Sequence, residues 1–332
     1  MSYLSELRAV WGTAPLLSVG VSVLVQDDHG RVLLQRRGDD GLWGILGGGL
    51  EPGEDFLTAA HRELYEESGL ACSNLTLLSL EEGLVSGPEF YHRYPNGDEI
   101  YLVGMRAHGT LPAEALNDAA PDDSGETLEL AWFALDKLPP LPSNINRAGL
   151  NVLRVRAGLP PLPLNPFPAP PPAADHMRRL REVVGTRPLF APGANVIVAD
   201  GEGHLLLLQH GSTGRWTLPG GGLAPGESLT DCAQRELRGA TGLSAAHLEP
   251  LRMYAGAECR FTRLNGDVID NISVLYRARG VTGTPTLPPG EIPGTAWFAR
   301  NELPGEDEFS GAVGWAMMRE WADSCPPDRF PS

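Results

Sequence analysis

The sequence predicts an α+β protein made of two tandem copies of one domain, joined by a proline-rich linker. Three observations carry this: a repeat running through both halves, a dense proline run between them, and short apolar runs mixed with an amphipathic helix in each half. With 332 residues the chain is longer than the roughly 250–300 at which a single hydrophobic core stops growing. The segment Leu7-Arg8-Ala9-Val10-Trp11-Gly12-Thr13-Ala14-Pro15-Leu16 returns as Leu180-Arg181-Glu182-Val183-Val184-Gly185-Thr186-Arg187-Pro188-Leu189. Asn96-Gly97-Asp98 returns as Asn265-Gly266-Asp267, and Ala131-Trp132-Phe133-Ala134 as Ala296-Trp297-Phe298-Ala299. A match this wide is a duplication.

Within the first half, Ser18 to Gln26 and Arg31 to Arg36 read as strands around the turn Asp27-Asp28-His29-Gly30. Glu89 to Tyr94 and Glu99 to Met105 flank Asn96-Gly97, a strong hairpin signal. A helix is expected over Glu54 to Ser68, closed by Gly69, with Leu57, Ala60 and Leu64 as its apolar seam. A second helix is expected from Asn144 to just before Gly158. Between the halves, eight prolines from Pro160 to Pro172 exclude a helix or an inner strand. At about 3.1 Å per residue of polyproline II such a linker spans about 40 Å, enough to cross one domain face. The expected division is a catalytic domain over 1–157, the linker over 158–175 and a degenerate domain over 176–332.

Charge and composition narrow the function. A net charge of -16 opposes binding to a nucleic-acid polymer, whose phosphates call for a basic surface. The acidic excess is concentrated in the first half. Leu16 to Val25 is too short to cross a bilayer. The four cysteines, Cys72, Cys232, Cys259 and Cys325, form no Cys-x-x-Cys pair, which favours reduced thiols and a cytoplasmic location.

The chemistry concentrates after the glycine run Gly47-Gly48-Gly49. Gly48 is followed by Glu54 and by Arg62-Glu63-Leu64-Tyr65-Glu66-Glu67-Ser68-Gly69-Leu70. Helical spacing places Glu63, Glu66 and Glu67 on one face. Three carboxylates so close repel one another and favour a hard divalent cation, Mg²⁺ or Mn²⁺, since no His or Cys joins them.

This pattern resembles the box of the Nudix (MutT-like) hydrolases at all of its defined positions. The resemblance implies an α/β/α sandwich with a mixed sheet in each half, and hydrolysis of a nucleoside diphosphate linked to another group, such as ADP-ribose, or of an ordinary or oxidised nucleoside triphosphate. It also implies that Glu63, Glu66 and Glu67 bind metal with the Gly48 carbonyl, while Glu54 and Arg62 orient the cluster. Glu126, six residues before Trp132, is the expected further metal ligand, with Glu129 its competitor; Glu63 and Glu126 compete as general base. Trp43, Asn144 and Arg36 are the candidate substrate contacts, Trp43 being equally a core residue and Asn144 more readily a helix cap. Tyr91, His92 and Arg93 are candidate cleft residues.

The second copy runs from Gly221 through Glu227 to Arg235-Glu236-Leu237-Arg238-Gly239-Ala240. It keeps the seam Leu229, Ala233 and Leu237 but replaces two of three clustered glutamates. Glu291, six before Trp297, remains. One working site with an inactive twin is the expected arrangement, the two halves imitating the dimer common in this family or the chain forming a homodimer. The alternative is a nucleotide-binding sensor or scaffold with little or no hydrolase activity.

Overall fold

A computed structural model describes residues 3–121, 124–171, 176–211, 213–263, 265–285 and 294–324. The chain divides into two compact units. The first runs to Leu189 and takes in Ala224–Glu227 and Leu264–Val268; the second holds Phe190–Leu223, Ser228–Arg263 and Ile269 onward.

In order, the first unit contains α1 (Tyr3–Trp11), β1 (Leu16–Asp27), β2 (Val32–Arg37), β3 (Trp43–Gly44), β4 (Leu46–Gly49), α2 (Phe56–Ser68), β5 (Thr76–Leu77), α3 (Leu80–Gly83), β6 (Tyr91–Arg93), β7 (Glu99–Leu111), β8 (Thr127–Phe133), α4 (Asn144–Arg156) and α5 (His176–Val184). Its eight strands form one mixed sheet in the order β3-β2-β1-β7-β5, with β4 on β1, β6 on β7 and β8 on β2. The long β1 and β7 run parallel, from Leu16 opposite Ile100 to Asp27 opposite Leu111. Residues of β1 are buried on both faces, as expected for a strand covered on each side. Leu150 and Leu153 of α4 pack with Leu24, Val32 and Leu34, while α2 rests on β1 and β4.

Two boundaries differ from the sequence reading. Asp55 caps α2, accepting from Leu57 N and Thr58 N, so the helix begins at Phe56 and Glu54 stays in the turn before it. Its buried seam is Phe56, Ala59, Ala60 and Leu64, with Leu57 only half-buried. Pro88–Phe90 forms a 3₁₀ turn, which leaves Tyr91–Arg93 as the strand. The proline is suited to that first turn because its missing N–H would be unpaired there anyway.

The linker is held along α4. Residues 159–171 adopt no regular secondary structure, and a proline-rich chain offers carbonyls but few N–H groups. One stripe of α4 supplies the donors. Arg154 Nε donates to Pro160 O (3.0 Å), Asn151 Nδ2 to Leu162 O (3.0 Å), Arg147 Nη1 to Pro163 O (2.6 Å) and Asn144 Nδ2 to Asn165 O (3.0 Å). In return, Leu162 N and Asn165 N donate to the Asn151 and Asn144 side chains. Pro172 and the rest of 172–175 lie outside the described residues. In the same unit, Leu180 and Val184 of α5 pack with Leu7 and Leu16.

The second unit carries β9 (Leu189–Ile197), β10 (Leu205–Gln209), β11 (Trp216–Thr217), β12 (Gly220–Gly222), α6 (Leu229–Thr241), β13 (Ser244–Tyr254), β14 (Arg260–Thr262), β15 (Val268–Thr282), β16 (Thr295–Phe298) and α7 (Ala312–Ser324). Its strands form a three-stranded sheet, β11-β10-β16, and a five-stranded one, β12-β9-β15-β13 with β14 on β15. Leu229, Ala233 and Leu237 are the buried seam of α6, as the sequence predicted. Cys72, Cys232 and Cys259 are buried and form no disulfide with one another; Cys325 lies outside the described residues. Among the described residues no helix is long and apolar enough to cross a membrane.

Gly20 and Gly104 face each other across β1 and β7, and a Cβ on Gly104 would lie on the Gly20 carbonyl oxygen. Gly104→Ala should therefore destabilise the first unit by about 1–3 kcal/mol, the usual cost of overpacking, measurable as a lower urea midpoint. An unchanged midpoint would show that the two strands can separate freely at this point.

Candidate active site

The site is built where α2 meets β4. Gly47, Gly48 and Gly49 pair antiparallel with Ser22, Val21 and Gly20, so a strand with no side chains faces the helix. A Cβ on Gly48 would come 2.5 Å from the Glu63 carboxylate. Glycine is required there for the acid to reach its place. The chain enters α2 through a turn in which Glu54 N donates to Glu51 O at 2.9 Å. Gly53 at φ 90 and Gly69 at φ 71 occupy the left-handed region that glycine adopts without strain.

Arg62 ties the elements together. Its Nε and Nη2 donate to the two oxygens of Glu54 (2.8 Å each), and Nη2 also donates to Gly49 O (2.8 Å). Its Nη1 donates to Glu63 (2.7 Å) and Glu66 (3.0 Å). These bonds hold the guanidinium firmly charged, Glu54 contributing most.

Glu67 is buried, its Oε1 accepting from Gln35 Nε2 (2.5 Å) and its Oε2 from Gly47 N (2.8 Å). Burial pushes Glu67 up to about 8 despite these bonds. Glu63 is pushed up to about 7, first by burial and then by the charges of Glu66 and Glu126, with Arg62 opposing. Glu63, Glu66, Glu67 and Glu126 line one cavity of about 720 Å³ together with Gly48 and Arg62. Glu129 instead pairs with Arg36 at 3.4 Å and does not line it.

A second cavity of about 480 Å³ shares the Gly47–Gly49 wall, Arg37 and Tyr94. Trp43, His92, Arg93 and Asn146 also line it. Trp43 lines this cavity and meets Phe133 edge-on, with ring centroids 4.8 Å apart. Arg37 is clamped on Asp39 by bonds of 2.9 and 2.7 Å. Burial keeps the His92 imidazole below its usual range and the Tyr94 phenol above its own. Tyr91 stacks on Tyr101 across the strand pair and lines neither cavity.

Two of the candidate substrate contacts lie off both cavities. Arg36 is occupied with Glu129, whereas Arg37 lines both cavities: it stands two residues beyond Gln35, whose side chain already reaches Glu67, and alternate residues of a strand share a face. Asn144 is buried and bound to the Asn165 backbone, while Ser143 caps α4 by accepting from Ile145 N. Its neighbour Asn146 reaches the cavity and accepts from Ile45 N at 3.2 Å. No sequence signal separated the two asparagines.

In the second unit Glu236 keeps its place under Gly221 and pairs with Arg235 at 2.5 Å. Gly239 and Ala240 offer no carboxylate, and Glu291 lies outside the described residues. Trp216 meets Phe298 with centroids again 4.8 Å apart, so the tryptophan-phenylalanine contact survives where the acids do not.

Comparison with known proteins agrees with this geometry. The model of the NUDIX domain matches residues 16–153 and again 189–314; the chain belongs to the Nudix family. Human 8-oxo-dGDP phosphatase NUDT18 is 31% identical over 123 residues, covering 36% of this chain and 33% of that protein. NAD-capped RNA hydrolase NudC of Chromobacterium violaceum is 30% identical over 137 residues, covering 40% and 44%. The chain thus spans less than half the length of either relative. A solved MutT protein from Methanosarcina mazei Go1 is 21% identical, covers 43% of this chain and 97% of that one, and has a TM-score of 0.34.

The raised values of Glu63 and Glu67 fix a pH dependence. At low pH both acids are protonated whether the chain is folded or not, so they impose no penalty. As pH rises from the ordinary carboxylate value of 4.5 through about 7 and 8, the folded state must ionise buried groups, and stability is lost. In EDTA the melting temperature of the first unit should fall across this window, and less steeply in Glu67→Gln. A melting temperature that rises over the window would contradict this account.

Proposed function

We propose that the first unit is a metal-dependent hydrolase of nucleoside diphosphates linked to a further group, releasing a nucleoside monophosphate and a phosphate-containing product. The observation that carries the reading is the set of four glutamates lining one cavity, beside a second cavity large enough for a nucleoside. Among the described residues no three His, Cys, Asp or Glu side chains reach the close grouping of a metal site, and Arg62 lies between Glu63 and Glu66. The donors are nevertheless all hard oxygens, and burial, with their mutual repulsion added to it, raises Glu63. In kind they fit Mg²⁺ or Mn²⁺.

Glu63, Glu66, Glu67, Glu126 and the Gly48 carbonyl would hold the cation. When bound, such a cation lowers the pKa of water and neutralises charge on the leaving phosphate. The chain itself supplies the rest. Arg62 and Glu54 keep the α2 carboxylates aimed at β4, the Gly47–Gly49 backbone lets a pyrophosphate approach closely, and Arg37 faces both cavities with a positive charge. The second cavity would take the nucleoside, between Trp43, His92 and Tyr94. Glu63, whose raised value suits proton transfer near neutral pH, and Glu126 are the two candidate bases. The second unit, stripped of two acids, would be inactive.

The test is a nucleotide panel with Mg²⁺ and with Mn²⁺, including ADP-ribose, 8-oxo-dGDP, 8-oxo-dGTP and NAD-capped RNA, with NMP and inorganic phosphate read separately. Glu66→Gln and Glu67→Gln should each lower kcat by at least about a hundredfold, since even groups behind metal ligands cost 10–100-fold. Glu236→Gln should stay within about twofold of wild type. No turnover of any pyrophosphate on the panel, with nucleotide binding retained, would replace the hydrolase by a sensor; equal losses in both units would remove the asymmetry between them.

A further inference from the structure

Gln35 is fully buried in β2 and uses both ends of its amide. Its Nε2 donates to Glu67 Oε1 at 2.5 Å, and its Oε1 accepts from Thr127 Oγ1 at 2.7 Å. Glu67 stands on α2. Thr127 opens β8 and directly follows Glu126. A second bond, Gly38 N to Glu126 O at 2.7 Å, ties the end of the same strand to the same loop. One amide thus joins the helix that carries three acids to the loop that carries the fourth.

The two oxygens of Glu67 leave little doubt about direction. One is held by Gln35 and the other by Gly47 N, so the carboxylate is fixed in rotation as well as position. Without these two donors it would be free to turn away from the neighbouring Glu63. The duplicated half supplies an internal comparison. By repeat position Gln35 corresponds to Leu208 and Glu67 to Ala240. Both polar partners are gone together, whereas Glu236, the equivalent of Glu63, remains. An amide without its acid would be a buried donor with no acceptor.

We propose that Gln35 is a positioning residue for the hydrolytic site, setting Glu67 against the Glu126 loop. This rests on the hydrolase reading for the identity of the reaction, but not for the pairing itself. Removing the amide leaves Glu67 ionisable yet loosely aimed, so turnover and metal affinity suffer while nucleotide binding in the adjoining cavity does not.

The experiment uses the full-length protein with Gln35→Leu, Glu67→Ala, both together, and Thr127→Val as a milder break in the same chain of bonds. Nucleotide turnover, Mn²⁺ affinity by calorimetry and melting temperature in EDTA are read for each. Gln35→Leu should lower kcat and Mn²⁺ affinity by about 10–100-fold, the range for groups that orient metal ligands, with nucleotide KM within about twofold. Thr127→Val should move the same quantities in the same direction by less. In the double variant the melting temperature should recover toward wild type while activity stays lost, reproducing the Leu208 and Ala240 combination. If Gln35→Leu, or Thr127→Val should the former not fold, leaves kcat and Mn²⁺ affinity within twofold while Glu67→Ala abolishes activity, the positioning role is overturned and the hydrolase reading stands. If Glu67→Ala is itself harmless to activity, the part of Glu67 in the reaction falls and the positioning role with it; if the wild type turns over no nucleotide, the hydrolase reading falls, the pairing is judged by the melting temperatures alone, and additive losses in the double variant would overturn it.

Discussion

Glu63 and Glu67 project from α2 onto the glycine stretch Gly47–Gly49 of β4, and the burial of these two carboxylates is the constraint that the surrounding structure answers. An ionised acid taken out of water needs charge-assisted donors or it gives up its charge. The first unit meets this unevenly. Arg62 serves Glu63 and Glu66 while bracing itself on Glu54 and Gly49; Glu67 receives only neutral donors, Gln35 and Gly47. The site is left with more negative charge than its own cation balances. That imbalance destabilises the protein on its own and is the electrostatic condition for gripping a divalent ion.

Much of this was legible in the sequence because it rests on local rules. Helical spacing puts Glu63, Glu66 and Glu67 together, the glycines announce a close approach of backbone and acid, and Asn96-Gly97 marks the hairpin between β6 and β7. The misses share one cause, which is that register and long-range contact are not local. Which of Arg36 and Arg37 faces the cavity depends on which face of β2 meets α2, and that is fixed by the contact of Gln35 with Glu67. Whether Asn144 or Asn146 is available depends on the linker, whose Asn165 occupies Asn144 from 21 residues away. Gln35 went unnoticed for the same reason. In an apolar strand it looks like an edge residue, and only the helix 32 residues further on gives its amide a purpose.

The duplication separates architecture from chemistry within one molecule. Features present in both units, such as the glycine strand under a glutamate and the edge-on tryptophan-phenylalanine pair, belong to the fold. Features confined to the first unit carry its particular function. The cross-strand contact between Tyr91 and Tyr101 corresponds in the second unit to the ion pair of Arg260 with Asp270 at 2.9 Å, so the strand pair beside the cavities has changed there as well as the acids. The tryptophan, which alone suggests base stacking, therefore says less about substrate than Arg37, His92 and Tyr94, none of which has an identical counterpart in the second copy.

The matched loss of a glutamine and a glutamate also has a historical meaning. Passing between the glutamine–glutamate pair and the leucine–alanine pair by single changes crosses a mismatched intermediate in either direction, a polar group in the interior without its mate. Each pair is therefore held in place by its own packing. A duplicated chain can keep the two solutions side by side, each copy free to change its surface while its interior pair resists exchange one residue at a time.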